Sequence, residues 1–268
     1  MELETITSAA NSKLKLAAAL KIRRQREKQK SFTLEGVRLA EMAAASDWGI
    51  RFALVTEKAA GEPRVAAILE KLSARRVPCS LVPEPLLKGI SSTENPQGIL
   101  LAMRQKTITL ENLPQEDAPC YVVLDGVQDP GNLGTIIRTA DAAGLSGVIL
   151  LKGTTDVYSP KVVRAAMGSL FHLPVVPDIE EADFLTFARS RGLALYGTAL
   201  DPSATPHFNA DYRQPCAILL GNEGNGLSSS LLAATQNIYI PMFGSAESLN
   251  VAISAAIVLY EAVRQRHE

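Results

Sequence analysis

The second half of the chain carries five short apolar runs, "YVVLD", "GVILL", "LALYGT", "AILLG" and "NIYIP", each followed by a loop bearing glycine or proline. Runs so nearly continuous in hydrophobicity belong to parallel strands buried on both faces, with helices covering the sheet. Helical stretches separate several of them, which predicts an α/β domain. Ligands of such sheets bind outside the carboxyl ends of the strands, so the strand-end loops are where chemistry is expected.

The first half alternates helix and strand on a smaller scale. The pattern predicts a helix from Asn11 to Lys28, a strand at "SFTLE", a helix from Val37 to Ala45 and a strand at "RFALVT". A helix over Arg64 to Ala74, a short strand at "CSLV", a turn at Pro83 and Pro85 and a strand at "GILLAM" follow. The stretch "QKTITLENLPQEDAP" reads as a linker. The expected organisation is therefore a small α/β sandwich over residues 1–106, a linker over 107–118 and a second domain over 119–268.

The net charge of −1 conceals an asymmetry between these halves. Residues 1–106 hold 18 Lys and Arg against 11 Asp and Glu, a net of +7; residues 107–268 hold 9 against 17, a net of −8. An excess confined to one half points to a polyanion partner for that half. It is densest in "KIRRQREKQK", where Lys21, Arg23, Arg24, Arg26, Lys28 and Lys30 are relieved only by Glu27. No apolar run is long enough to span a bilayer, and the N-terminus lacks a signal-peptide pattern, so a soluble, cytoplasmic protein is expected. Cys79, Cys120 and Cys216 form no metal-ligand spacing with one another or with His172, His207 and His267, and neither a metal nor a disulfide framework is expected.

Three strand-end loops carry unusual residues. In "DGVQDPGNLGTIIRTADAAG" the glycine spacing fits neither a dinucleotide fingerprint nor a P-loop. Asn132 is placed to cap a helix whose buried stripe is Leu133, Ile136, Ile137 and Ala140, and Gly144 to end it. Arg138 shares a helix face with Gly131, Gly134 and Thr135, so a cation is expected over a surface bare of side chains. The second loop, "GNEGNG", offers close backbone approach through Gly221, Gly224 and Gly226, while Glu223 argues against a bare phosphate ligand. In the third, "IPMFGSAESLN", Ser248 is expected to cap a long helix with Asn250 in its first turn. Leu249, Ile253, Ile257 and Tyr260 make one apolar stripe of that helix, assigned to the domain's own sheet. Val251, Ala255 and Val258 make a second, assigned to a second subunit. Lys161 and Arg164 lie in the first turn of a helix opened by Ser159 and Pro160, the end where cations are disfavoured, a local conflict that suggests contact with RNA phosphate.

"NLGTIIRTADAAG", "LLGNEGNGL" and "IPMFGSAESLNVAISAA", in this order and spacing, resemble the SpoU/TrmH family of RNA ribose 2′-O-methyltransferases within the SPOUT superfamily. More loosely, "FTLEGVRLAEMA" and "NPQGILLAM" resemble the substrate-binding domain often fused in front, whose fold is like that of small ribosomal proteins that bind RNA kinks. The resemblance implies a knotted, trefoil, parallel-sheet domain that binds S-adenosyl-L-methionine through Thr198, Gly221, Ile240, Met242 and Leu249. It places Arg138 beside the ribose hydroxyl, with Asn132, Glu223, Ser248 and Asn250 around it, and a homodimer through the C-terminal helix. Ribosomal RNA is the favoured substrate over transfer RNA; a transfer-RNA enzyme and a non-catalytic RNA-binding protein of the same fold are the alternatives. Whether Arg138 titrates as a base or stabilises the developing alkoxide is open; its high pKa favours the second.

Overall fold

A computed structural model describes residues 3–199, 201 and 203–267. By its internal contacts the chain forms two compact units, one of Met1–Lys106 with Tyr158–Phe171, the other of Thr107–Val157 with His172–Glu268. The 158–171 excursion, which the sequence placed in the second domain, therefore belongs to the first unit. Its aromatic residues show why: Tyr158 stacks on Phe32 at 4.9 Å, and Phe171 meets Trp48 edge-on at 5.5 Å.

The first unit is built on a five-stranded sheet in the order β1-β4-β3-β5-β2. Its strands are β1 (Glu4–Thr5), β2 (Ser31–Glu35), β3 (Ile50–Val55), β4 (Cys79–Leu81) and β5 (Ile99–Arg104). β1, β4 and β3 run parallel, and β5 is antiparallel to both β3 and β2. Helices α1 (Ser12–Ala19), α2 (Arg23–Gln29), α3 (Val37–Ala45), α4 (Glu57–Ala60), α5 (Pro63–Ala74) and α6 (Glu84–Ile90) complete it. Leu14, Ala17, Leu87 and Ile90 of α1 and α6 are buried in one cluster with Phe52 and Leu54 of β3. The single helix expected from Asn11 to Lys28 is instead two. Leu20 is fully buried at the break, and Arg26 folds back to donate to the carbonyls of Leu20 (2.9 Å) and Lys21 (2.8 Å). The Pro83 and Pro85 turn proves to be the start of α6, where proline is tolerated because the first-turn amides have no helical acceptor.

The second unit carries a seven-stranded sheet in the order β10-β12-β9-β11-β6-β7-β8, every neighbouring pair parallel. Five strands are the apolar runs: β6 (Cys120–Leu124), β7 (Gly147–Leu151), β9 (Ala194–Thr198), β11 (Cys216–Leu220) and β12 (Gln236–Tyr239). The two others, β8 (Val175–Ile179) and β10 (Thr205–Pro206), are edge strands; Pro177 and Pro206, which hide them from a pattern search, are tolerated there because an edge strand leaves one side unpaired. Helices α7 (Pro130–Ala142), α9 (Glu181–Ser190), α10 (Ser229–Ala234) and α11 (Val251–His267) belong to this unit, and α8 (Pro160–Ala165) to the first. Residues 107–118 are no free linker, since Leu110 and Leu113 are buried in the second unit's core with Tyr121, Val123 and Phe187.

Two helix faces differ from expectation. On α7 the buried residues are Leu133, Ile136, Ile137 and Ala140, as the periodicity requires, but Gly134 is buried as well. The surface beneath Arg138 is thus partly filled by packing. On α11 the two stripes exchange roles: Ala255 and Val258 are fully buried within the chain, whereas Ile253 is 51% and Tyr260 49% exposed. The reason is that small Ala252, Ala255 and Ala262 let α11 lie close on its own domain, where it packs against α7 and β11. The bulky stripe cannot approach as closely and is left outside. No described helix is long and apolar enough to cross a membrane.

Candidate functional site

At the carboxyl ends of β9, β11 and β12 lies a cavity of about 520 Å³, within the range of small-ligand sites. Thr198, Gly221, Ile240, Met242 and Leu249, which the resemblance assigned to the cofactor, all line it, together with Glu223, Ser248 and Asn250. Its wall is largely backbone and aliphatic side chain, with one carboxylate and no lysine or arginine. That composition suits an adenosine with a neutral backbone cradle rather than a phosphate. Thr198 donates its hydroxyl to the carbonyl of Leu219 at 3.1 Å, which fixes the strand end where the cavity opens.

The loop after β11 is organised by Asn222, a residue the sequence reading passed over. Its side-chain oxygen accepts from the amides of Gly224 (2.8 Å) and Asn225 (3.1 Å), and its amide group donates to the carbonyl of Gly126 at 2.8 Å. The signal was available, since an asparagine side chain can close a turn on the backbone amide two residues on. Gly221 sits beneath this loop: a Cβ there would lie 2.0 Å from the carbonyl carbon of Gly226 and 2.1 Å from the nitrogen of Leu227. No other residue fits. Ser228, whose amide donates to Asp125 at 2.9 Å, accepts from Leu231 and opens α10.

Three separate loops meet through one chain of hydrogen bonds. Asn250 donates from Nδ2 to Oδ1 of Asn132 at 3.0 Å, and Asn132 donates from its own Nδ2 to Oε1 of Glu223 at 2.9 Å. Glu223 also accepts from the amides of Gln128 and Asp129, each at 3.2 Å. Burial acts to raise its pKa, but these donors, Asn132 foremost, outweigh it and hold the carboxyl below its ordinary value. Asn250 spends its other atom as a helix cap, accepting from the amides of Ala252 (2.9 Å) and Ile253 (3.3 Å). Two capping assignments are thereby corrected. Asn250, not Ser248, caps α11; and Asp129, accepting from the amide of Asn132 at 2.9 Å, caps α7 and leaves the Asn132 side chain for the network. In both cases a better-placed capping residue lies a few positions away, and local propensity could not choose between them.

Arg138 stands apart. It is exposed on α7, does not line the cavity, and among the described residues has no hydrogen-bond or ion-pair partner. The basic residues of the first unit divide. Arg26 is 4% exposed and satisfies carbonyls, so it is not an RNA contact. Lys21 donates to the carbonyl of Ser91 at 2.7 Å, and Arg23 pairs with Glu27 at 2.8 Å, while Arg24, Lys28, Lys30, Lys161 and Arg164 are exposed. Ser159 caps α8 as expected, but the helix ends at Ala165, so Arg164 falls in its last turn, where a cation is favoured, and not in the first turn expected from sequence. Among the described residues no group of three or more His, Cys, Asp or Glu is placed to hold a metal.

A parallel-sheet α/β domain with a ligand-sized cavity at its strand ends, carried in one chain with a smaller α/β unit, is the class these features define, and comparison with known proteins gives that class a family. Residues 119–260 match the SpoU rRNA methylase family, and residues 11–101 match the MRM3-like substrate binding domain. The chain belongs to the SpoU rRNA methylase family. It is 37% identical over 262 residues, 96% of this chain and 98% of the relative, to the 23S rRNA (guanosine(2553)-2′-O)-methyltransferase RlmP of Bacillus subtilis (strain 168). It is 32% identical, over 93% of this chain and 88% of the relative, to a 23S rRNA (uridine(2479)-2′-O)-methyltransferase of Streptomyces viridochromogenes. The crystal structure of an AdoMet-bound rRNA methyltransferase from Sinorhizobium meliloti superposes with a TM-score of 0.89 at 36% identity, covering 98% of each chain.

Proposed function

We propose that the protein transfers the methyl group of S-adenosyl-L-methionine to a ribose 2′-hydroxyl of ribosomal RNA. The observation that carries this reading is the Asn250–Asn132–Glu223 chain, two of whose members line a cavity of cofactor size that holds one carboxylate and no lysine or arginine. The cofactor supplies an already activated methyl group, so the protein's task is alignment, and in-line positioning alone can contribute about 7–11 kcal/mol. Thr198, Gly221, Ile240, Met242 and Leu249 hold the cofactor, and the strand order, with β9 between β12 and β11, supports a knotted path around it. Glu223 already accepts three hydrogen bonds and keeps its carboxylate, so it fastens the 126–132 loop and is a poor proton acceptor. Arg138, without a hydrogen-bond or ion-pair partner among the described residues, is available to stabilise the alkoxide that develops as the hydroxyl attacks, and Ser248 to orient the ribose; the proton leaves to water or phosphate.

The two relatives modify a guanosine and a uridine, so family membership does not select a base. RNA affinity resides in the first unit and involves Lys21, Arg23, Arg24, Lys28, Lys30, Lys161 and Arg164. A homodimer forms through the outer face of α11, where Ile253 and Tyr260 are exposed and Ile257 is half-buried, in place of the Val258 face expected from sequence. Supplying labelled cofactor and unmodified bacterial ribosomal RNA, then mapping ribose methylation, is the direct test. One new 2′-O-methyl position is expected, lost in Arg138→Ala with cofactor binding intact. Label on a base, or none on any ribosomal RNA, would overturn the assignment. Near-normal turnover of Arg138→Lys with a depressed pH optimum would make the residue a titrating base.

A further inference from the structure

The basic residues that the sequence scatters over more than a hundred positions converge at one end of the first unit's sheet. There β2 begins, β5 ends and β3 begins: Ser31 pairs in register with Arg104, and Arg51 donates to the Ser31 hydroxyl at 3.1 Å. Lys30 precedes this strand in a left-handed conformation (φ 45°), and its carbonyl accepts from the amide of Gln105 at 2.8 Å. Two residues along β5's exit, the carbonyl of Lys106 accepts from the Tyr158 hydroxyl at 3.1 Å. That bond, with the Tyr158–Phe32 stack, seats α8 on β2 and brings Lys161 and Arg164 to the same end. α2, carrying Lys28, leads directly into β2 and packs on it.

Acidic residues on these segments are few and already committed: Glu27 pairs with Arg23, and Asp47 with Lys106 at 2.9 Å. Glu35 lies at the far end of β2, where its carboxylate accepts from Ser92. A surface so rich in cations from separate chain segments has a strong positive potential, and the ligand complementary to an extended one is a polyphosphate backbone. We infer that the α2–β2–α8 end of the first unit, centred on Lys28, Lys30, Arg104, Lys161 and Arg164, is one continuous track for the phosphate backbone of the RNA substrate. This rests on the ribosomal RNA reading above.

The test uses the full chain and an in vitro transcript of bacterial 23S rRNA, with affinity measured across a range of salt. Two double variants, Lys28→Gln with Lys30→Gln and Lys161→Gln with Arg164→Gln, are compared with Lys15→Gln/Lys71→Gln, exposed cations of the same unit away from the track. Each lost phosphate contact lowers the salt slope by about 0.7–0.9. Each track pair should therefore lower it by about 1.5, and the two pairs together by about 3, with cofactor affinity by calorimetry unchanged. The control pair should leave the slope as it is. If the unaltered protein binds the transcript with a steep salt slope but the track variants match it, the track is wrong and the ribosomal RNA reading survives. An equal drop in the control pair also overturns the track. If the unaltered protein shows no salt-dependent binding, both fall.

Discussion

In the loop after β11, Asn222 ties two amides and a neighbouring carbonyl, Glu223 accepts from three donors, and Gly221 lies in van der Waals contact beneath the chain. In the loop after β12, residues 240–249 make no hydrogen bond among the described residues, Phe243 is 96% exposed, and a Cβ added to Gly244 would meet nothing within 4 Å. Both loops wall the same cavity. The first is built by its own chain, whereas the second is bounded only at its end, where Asn250 caps α11. The difference teaches that half of the cavity wall is preorganised and half is completed by what binds or packs there, which concentrates sensitivity to mutation in the first loop.

Val258→Glu probes the point where the second loop's helix turns from open to packed. It would bury an unpaired carboxylate at a fully buried position, a change that costs several kcal/mol, so little folded protein is expected by circular dichroism. Ile253→Glu, at an exposed position one turn and a half away, should leave a folded chain and shift only its mass by light scattering. A folded, monomeric Val258→Glu protein would restore the assignment of faces made from sequence. Gly221→Ala follows in size. Its methyl group would collide with backbone that cannot withdraw without breaking the Asn222 turn, a cost of about 1–3 kcal/mol, seen as a lower midpoint in thermal unfolding together with loss of cofactor binding. Asn250→Ala removes a cap and one link of the network, and should cost about 1 kcal/mol with turnover falling more than cofactor affinity. Asn250→Asp, which keeps the cap but cannot donate to Asn132, should recover the stability and not the rate.

Acid should reach two groups of the second unit, His207 and Glu223, in different ranges of pH. Burial holds the His207 imidazole below its ordinary value, and its Nδ1 is buried without a partner among the described residues. In the native state this group binds a proton less readily than in the unfolded chain, so its contribution to stability is full above about pH 6.5 and declines as pH falls below it. Glu223, held low by its donors, loses stabilisation only further down, as pH falls from its unfolded value through its folded one. Unfolding followed between pH 7 and 5 should therefore show a slope that His207→Gln reduces and Glu223→Gln does not. The smallest effect is expected at Gly244→Ala, within about 0.5 kcal/mol of the parent, as for surface changes that touch no special feature. A large loss there would mean that the second loop is as tightly built as the first.

Much of this site was legible in the chain because its information is local. Parallel strands announce themselves by continuous apolar runs, α7's buried face by its periodicity, and the glycine loop by residues that few other structures require in that order. Where the reading failed, the deciding quantity was non-local. Whether Asn132 caps a helix or bridges two loops depends on Glu223 and Asn250, about a hundred residues away. Which stripe of α11 is buried depends on how closely small alanines can approach a neighbouring helix, not on which stripe is more hydrophobic. The attachment of 158–171 to the first unit rests on aromatic partners, Phe32 and Trp48, far upstream. Arg26 looked like one cation among six until the fold turned it toward two carbonyls that nothing else satisfied. Composition and spacing by themselves determined the class of sheet, the glycine loops and that these loops do not cradle a bare phosphate, because backbone geometry and a nearby carboxylate impose those within a few residues. Only the tertiary structure decided which polar and apolar groups are already spent on the protein itself, because burial and hydrogen-bond satisfaction are properties of the neighbours that folding supplies.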